Sequence, residues 1–195
     1  MSCNKKEEIT VNNEVPTIFT DPRDGNEYAI IKIGEQTWFT EDLTYTSPDF
    51  ISYLNNATNG RLYNWDAAIN ACPSGWHLPS DNDWKVLEIH LGMTLEEVEL
   101  QNFRGTDQGK MLKDTTSWYE NMEGFNSSGF SGRANGSRSL LNSHFYGAGE
   151  FACWWTSSEE DSSFVWVRWL KIDSTQVSRY FYNKEHAYSV RCVKD

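Results

Sequence analysis

The sequence predicts an α+β fold: an N-terminal hairpin, two or three short helices, a long irregular region and a C-terminal antiparallel sheet. Three observations carry that prediction. Period-two alternation clusters at both ends of the chain, helix caps cluster between residues 60 and 100, and 14 of the 24 residues from 124 to 147 are Gly, Ser or Asn. Asp21-Pro22-Arg23-Asp24-Gly25 is a turn cluster, and the folded domain, 21–195, is expected to start there behind a polar tether of residues 1–20. Residues 28–33 and 36–39 read as two strands around Gly34-Glu35, a two-residue hairpin signal. A loop with several Asn occupies 44–59. Leu62, Trp65, Ile69 and Cys72 recur at helical spacing, so a first helix is expected over 60–71, stopped by Pro73-Ser74-Gly75. Ser80 caps a second helix, with Asp83 as a short capping-box acid, Trp84, Leu87 and Leu91 on one face, and Gly92 at its end. Thr94 with Glu97 starts a short third helix over 95–100. The stretch 124–147 reads as an excursion with little regular structure. Four strands follow, at 151–157, 163–171, 176–182 and 187–193. The second is apolar on both faces, Phe164, Trp166 and Leu170 on one and Val165, Val167 and Trp169 on the other, which places it inside the sheet.

Composition excludes several classes of protein. The chain has 195 residues, nine Trp and a net charge of −11. That length suits one domain. No run approaches the roughly 20 apolar residues that span a bilayer. The acidic balance and the lack of any Lys/Arg cluster argue against nucleic-acid partners, whose phosphates demand clustered positive charge.

The cysteines speak to compartment. Cys3 is preceded by Ser and followed by Lys5-Lys6-Glu7-Glu8 and a polar stretch. This start resembles the mature end of a bacterial lipoprotein, in which the Cys thiol carries a diacylglycerol. The charged run resembles the tether signal that sends Bacteroidota lipoproteins to the cell surface. An acylated Cys3 would hold the domain on an outer membrane without any spanning helix. The alternative is a free N-terminal Cys in an intracellular protein. Cys72 lies on the apolar face of the first helix, and Cys192 shares a strand face with Tyr188 and Val190. Two core-facing Cys in an exported protein can pair, and we expect that bridge. Closing a loop of 120 residues restricts the unfolded chain by roughly 4–5 kcal/mol in the entropy model. Cys153 then has no partner within the domain and reads as a small buried hydrophobe.

No catalytic signature stands out. The four His, at 77, 90, 144 and 186, are too far apart for a helical metal pair. The acidic runs 96–99 and 159–161 read as solvated faces, and 21–27 lacks an oxygen ligand at Arg23, so it reads as a turn rather than a calcium loop. No metal or cofactor is expected.

The strongest motif is Cys72-Pro73-Ser74-Gly75-Trp76-His77-Leu78-Pro79-Ser80-Asp81-Asn82-Asp83-Trp84, a helix stop, a tight turn, a buried Trp-His-Leu and a helix cap. With Asp21-x-Arg23-Asp24-Gly25-x-x-Tyr28, Ile33-Gly34-x-Gln36-x-Trp38, Gly60-Arg61-Leu62-Tyr63-x-Trp65, Trp155-Thr156-Ser157-Ser158-Glu159 and Ser189-Val190-Arg191-Cys192-Val193, it resembles the Fibrobacter succinogenes major paralogous domain family. The resemblance runs from about residue 20 to the C-terminus. Such domains are similar to the C-type-lectin-like fold group, which implies two helices on a twisted antiparallel sheet and a long loop region carrying ligand contacts. It implies the same Cys72–Cys192 bridge. The Glu-Pro-Asn, Gln-Pro-Asp and Trp-Asn-Asp triplets of calcium-dependent sugar binding are missing here. The paired reactive cysteines of formylglycine-generating enzymes have no counterpart, since Cys153 and Cys192 lie 39 residues apart.

The resulting expectation is a non-catalytic surface lipoprotein that binds a glycan or a protein, as an adhesin or an accessory to an outer-membrane assembly. Trp118, Tyr119, Phe145 and Tyr146 are the candidate ligand contacts, because aromatics supply large rigid contact area. Two alternatives stand beside it: a purely structural subunit with an outer-membrane protein partner, and an enzyme on the formylglycine-generating scaffold.

Overall fold

The computed structural model describes residues 14–46, 52–54 (backbone only), 61–119, 124–139, 141 and 144–195. Strands β1 (Thr17–Thr20), β2 (Glu27–Ile33) and β3 (Gln36–Phe39) form an antiparallel meander, with Gly34 at φ +62° in the tight turn. β4 (Ser52–Leu54) pairs with β5 (Arg61–Tyr63), and α1 (Trp65–Ala68) follows, its first turn capped by the Asn64 side-chain Oδ1, which accepts from Ala67 N–H. β6 (Trp76–His77) leads into α2 (Asp81–His90), where Ser80 and Asp83 form the expected capping box. A single 3₁₀ turn (Glu97–Glu99), β7 (Asn102–Arg104) and α3 (Gln108–Leu112) come next, then β8 (Asn135–Arg138) and β9 (Phe145–Ala148). β10 (Phe151–Glu159), β11 (Phe164–Lys171), β12 (Val177–Asn183) and β13 (Val193–Lys194) complete the chain.

The class is α+β, built on two twisted sheets. One has the order β1-β2-β3-β13-β6 and the other β7-β12-β11-β10-β8-β9, and among the pairings between these strands only β8–β10 is parallel. Both faces of the six-stranded sheet are covered. Cys153, Trp155, Val165 and Val167 face a core completed by Tyr63, Trp65, Tyr188 and Val190. Ala152, Trp154, Leu170 and Val177 face a second core with Trp84 and Leu87 of α2. That two-sided burial is why β11 is apolar on both faces and sits between β10 and β12.

Several expectations need correction. The spacing read as a helix over 60–71 resolves into β5 and one helical turn, because the apolar run is short and Tyr63 pairs with Tyr188 instead. Cys72 therefore lies in a turn rather than on a helix. The third helix shrinks to the 3₁₀ turn, although Thr94 and Glu97 do cap each other. The excursion 124–147 contains β8 and most of β9, which extend the six-stranded sheet. β1 takes into its sheet four residues that the sequence assigns to the tether. The last predicted strand is regular only at β13. Before it, the backbone of Tyr188 bonds Tyr63, Ser189 bonds Cys153 and Trp155, Val190 accepts from Leu43, and Cys192 accepts from Phe39. This segment stitches one sheet to the other. The Cys72–Cys192 disulfide closes it onto α1's exit turn, with Cα atoms 5.9 Å apart.

Candidate functional site

Trp118, one of the four sequence candidates, is 5% exposed and donates its indole N–H to Gly132 O, so it belongs to the second core. Its neighbour Tyr119 is 58% exposed. Phe145 and Tyr146, each 43% exposed, lie on β9, the outermost strand of the six-stranded sheet. The three exposed candidates thus share one end of that sheet.

A tight turn there organises the surface. Glu150 N–H donates to Gly147 O, with Gly147 at φ +67° and Gly149 at φ +83°. The Phe151 ring fills the space a Gly147 side chain would need, and the Tyr119 ring does the same over Gly149. Phe151 then packs on Trp169 with ring centroids 4.9 Å apart, Trp169 on Tyr182 at 5.5 Å, and Tyr182 on Tyr180 at 5.7 Å. Four rings, Phe151, Trp169, Tyr182 and Tyr180, form a ribbon across β10, β11 and β12, with Tyr119 beside the glycine turn where it starts. Tyr119 is exposed, whereas the four rings are half-buried. They lie on the face whose other end is sealed by Trp155, Val165 and Val167.

The ribbon is electrically neutral. Burial pushes the Tyr182 phenol well above its ordinary range, with Cys153 and Tyr180 adding to the effect. His186, stacked beside Tyr188 at the ribbon's end, is held below the ordinary histidine value by burial. The Trp169 indole N–H is buried without an acceptor among the described residues. At the margin stand Glu150 and the Lys171–Asp173 pair at 3.6 Å.

Charged groups elsewhere are tied into the fold. Asp81 and Glu88 on α2 pair with Arg168, Arg179 and Arg104 from β11, β12 and β7. Burial would raise the Asp81 carboxyl, but hydrogen bonds from Arg179 and the charge of Arg168 hold it below the usual carboxylate range. In the 21–27 turn, Arg23 pairs with Asp21 at 2.7 Å and lies over Tyr45. His77 sits between Asp83 and Asp195. Among the described residues no group of three or more His, Cys, Asp or Glu is arranged to hold a metal ion. Cys153 is a buried free thiol whose pKa burial pushes up, and Cys192 is bridged. Cys3 lies outside the described residues.

Sequence reasoning missed Phe151, Trp169, Tyr180 and Tyr182. The signal was the alternation itself: Tyr180 and Tyr182 share a face, as do Val167 and Trp169. What was lacking was knowledge of which end of that face the loops leave uncovered.

The class defined by these features is a disulfide-bridged α+β domain with a two-sided sheet and an aromatic face. The chain belongs to the Fibrobacter succinogenes major domain family, whose model matches residues 31–194. No curated protein and no solved structure matches it.

Proposed function

We propose that this chain is a non-catalytic binding module of C-type-lectin-like architecture, displayed on the outer membrane surface through an acylated Cys3. Its ligand is a glycan or a protein, met as an adhesin or as an accessory to an outer-membrane assembly. The observation that carries the reading is the aromatic surface at this end of the sheet, where the exposed Tyr119, Phe145 and Tyr146 adjoin the partly exposed ribbon, because apolar rings concentrated at one place are costly in water unless a ligand covers them. The bridge from the exit of α1 to the final strand supports the lectin-like comparison. The sealed Cys153 and the bridged Cys192 support a binding role over chemistry like that of formylglycine-generating enzymes. A structural, subunit-like role is favoured by one separate feature, the exposed Leu95, Leu100 and Phe103 around the 3₁₀ turn.

The test compares the immobilised wild-type protein with Tyr119→Ala/Tyr180→Ala in capture from cell-surface glycan and protein extracts. Capture is expected to depend on the two rings. Equal capture by both would sink the placement, and a stoichiometric partner lost on changing Leu95 and Leu100 to Ser instead would favour the subunit role. Anchoring is read by labelled-palmitate incorporation, which is expected to vanish in Cys3→Ala.

A further inference from the structure

We infer that the β7 edge of the six-stranded sheet docks an extended, basic and apolar segment of a partner protein, an assignment that rests on the subunit-like reading above and narrows it to one partner chemistry. β7 is the last strand at its end of the sheet, opposite β9 and so away from the surface around Phe145 and Tyr146. Its ladder to β12 occupies one side. Among the described residues no other backbone–backbone bond reaches Asn102, Phe103 or Arg104, so the outer side is open to a further strand. Only another polypeptide completes such a ladder. Asn102, at φ +63°, bends the chain where β7 begins, which keeps the added ladder short and leaves much of the contact to side chains.

Apolar anchors stand beside this edge. Just before β7, Val98 is buried in the second core, and bonds from Val98 N–H to Thr94 O and from Leu100 N–H to Glu97 O close the 3₁₀ turn. Leu95 and Leu100 flank that turn at 74% and 57% exposure, and Phe103 follows on β7 at 39%. Charge selects the occupant. From 93 to 107 the chain carries Glu96, Glu97, Glu99 and Asp107 against Arg104 alone, and Arg104 is engaged with the buried Glu88. Among the described residues, the one ion pair to those four carboxylates is Lys85 on Glu99 at 2.7 Å. A second copy of this chain, at −11, would bring acid to acid. A strand alternating Lys or Arg with apolar residues meets the carboxylates and the exposed apolar side chains together.

The experiment selects octapeptides on the intact protein from a random phage-displayed library, then measures the enriched peptides by calorimetry and by amide chemical shifts. Enriched peptides are expected to alternate basic and apolar residues, to perturb amides within 95–104 and to bind less tightly in high salt. Leu100→Ser/Phe103→Ser and Glu96→Gln/Glu99→Gln are each expected to weaken binding about tenfold or more, with the melting temperature held because all four side chains are exposed. N-methylating one alternate set of the peptide's amides should abolish binding and methylating the other should spare it, the signature of one hydrogen-bonded edge. Binding that tolerates both methylated sets, enrichment without Lys or Arg, or no enrichment at all would overturn the inference. Capture of a partner protein that depends on Leu95 and Leu100 but is indifferent to salt would do the same while leaving the subunit-like reading standing.

Discussion

Asp42 shows how much single buried side chains hold this fold in register. Its carboxylate accepts from Arg191 Nε and Nη2 at 2.9 and 2.6 Å, from the Trp154 indole at 2.8 Å and from Asn135 Nδ2 at 2.5 Å. The remaining Arg191 nitrogen donates to the carbonyls of Phe39 and Phe130, and the guanidinium lies over the Phe130 ring at 4.4 Å. Asp42 thus ties the loop after β3 to the stitching segment and to β8 and β10. Removing one partner of a buried pair strands the other charge, at a cost of about 3–5 kcal/mol. Asp42→Ala is expected to lower the unfolding free energy by that amount, read as a lower urea midpoint with an unchanged m-value; a loss under about 1 kcal/mol would mean that Arg191 finds water or another acceptor. None of this was legible in the alternation of 188–193, which puts Arg191 opposite Tyr188, Val190 and Cys192 and so suggests a solvent face. A one-dimensional pattern marks which residues share a side, and the far side here is closed by segments 60 and 150 residues away. The same blindness assigned Trp118 to the surface beside Tyr119.

Among the elements, α3 is the one whose attachment is easiest to titrate. It has only five residues, too short to persist by itself, and Lys113 at its C-terminal end anchors it. Lys113 Nζ donates to Lys171 O at 2.5 Å and to Ser174 O at 2.8 Å, and lies over the Trp118 ring at 4.6 Å. The helix is thereby pinned to the connection between β11 and β12. Burial lowers this ammonium to about 8, with Lys110 also lowering it and Asp173 opposing. An unfolded lysine titrates near 10.4. Between those values the unfolded chain binds more protons than the folded one, so stability rises with pH through that window. Stability of the wild type relative to Lys113→Met is expected to climb between pH 8 and 10, by up to about 1.4 kcal/mol per pH unit. Parallel curves for the two proteins would show that the ammonium is solvated in solution. Elements with strong local signals were read correctly: the capping box of α2, the β2–β3 turn and the three long strands β10, β11 and β12. β8 escaped notice because its Asn, Gly and Ser pair through their backbones, and β9 because Phe145-Tyr146-Gly147-Ala148 is short and carries no alternation. Their strand character comes from β10, a neighbour that local propensity cannot report.

For the molecule as a whole, the two sheets are held together by the stitching segment, and the Cys72–Cys192 bridge secures that segment covalently. The bridge was legible before the architecture it serves, from the strand face that Cys192 shares with Tyr188 and Val190 and from the family resemblance, although the helical face expected to carry Cys72 is a turn in which that residue is only partly buried. The two-sheet arrangement was not legible, since a segment that bonds partners on both sides has no period of its own. The loop closed by the bridge spans 120 residues and encloses α2, α3 and all six strands of the six-stranded sheet. In the chain-entropy model a loop of that length raises the free energy of the unfolded state by roughly 5 kcal/mol. Cys192 is fully buried in the first core, so the alanine pair also loses packing there. Cys72→Ala/Cys192→Ala is accordingly expected to lose about 4–5 kcal/mol or more by denaturant unfolding. Reduction of the wild type should reproduce the entropic part while retaining the side-chain volume, so the reduced protein is expected to fall between the two. A reduced protein as stable as the oxidised one would mean that the stitching hydrogen bonds alone keep the final strand between β3 and β6.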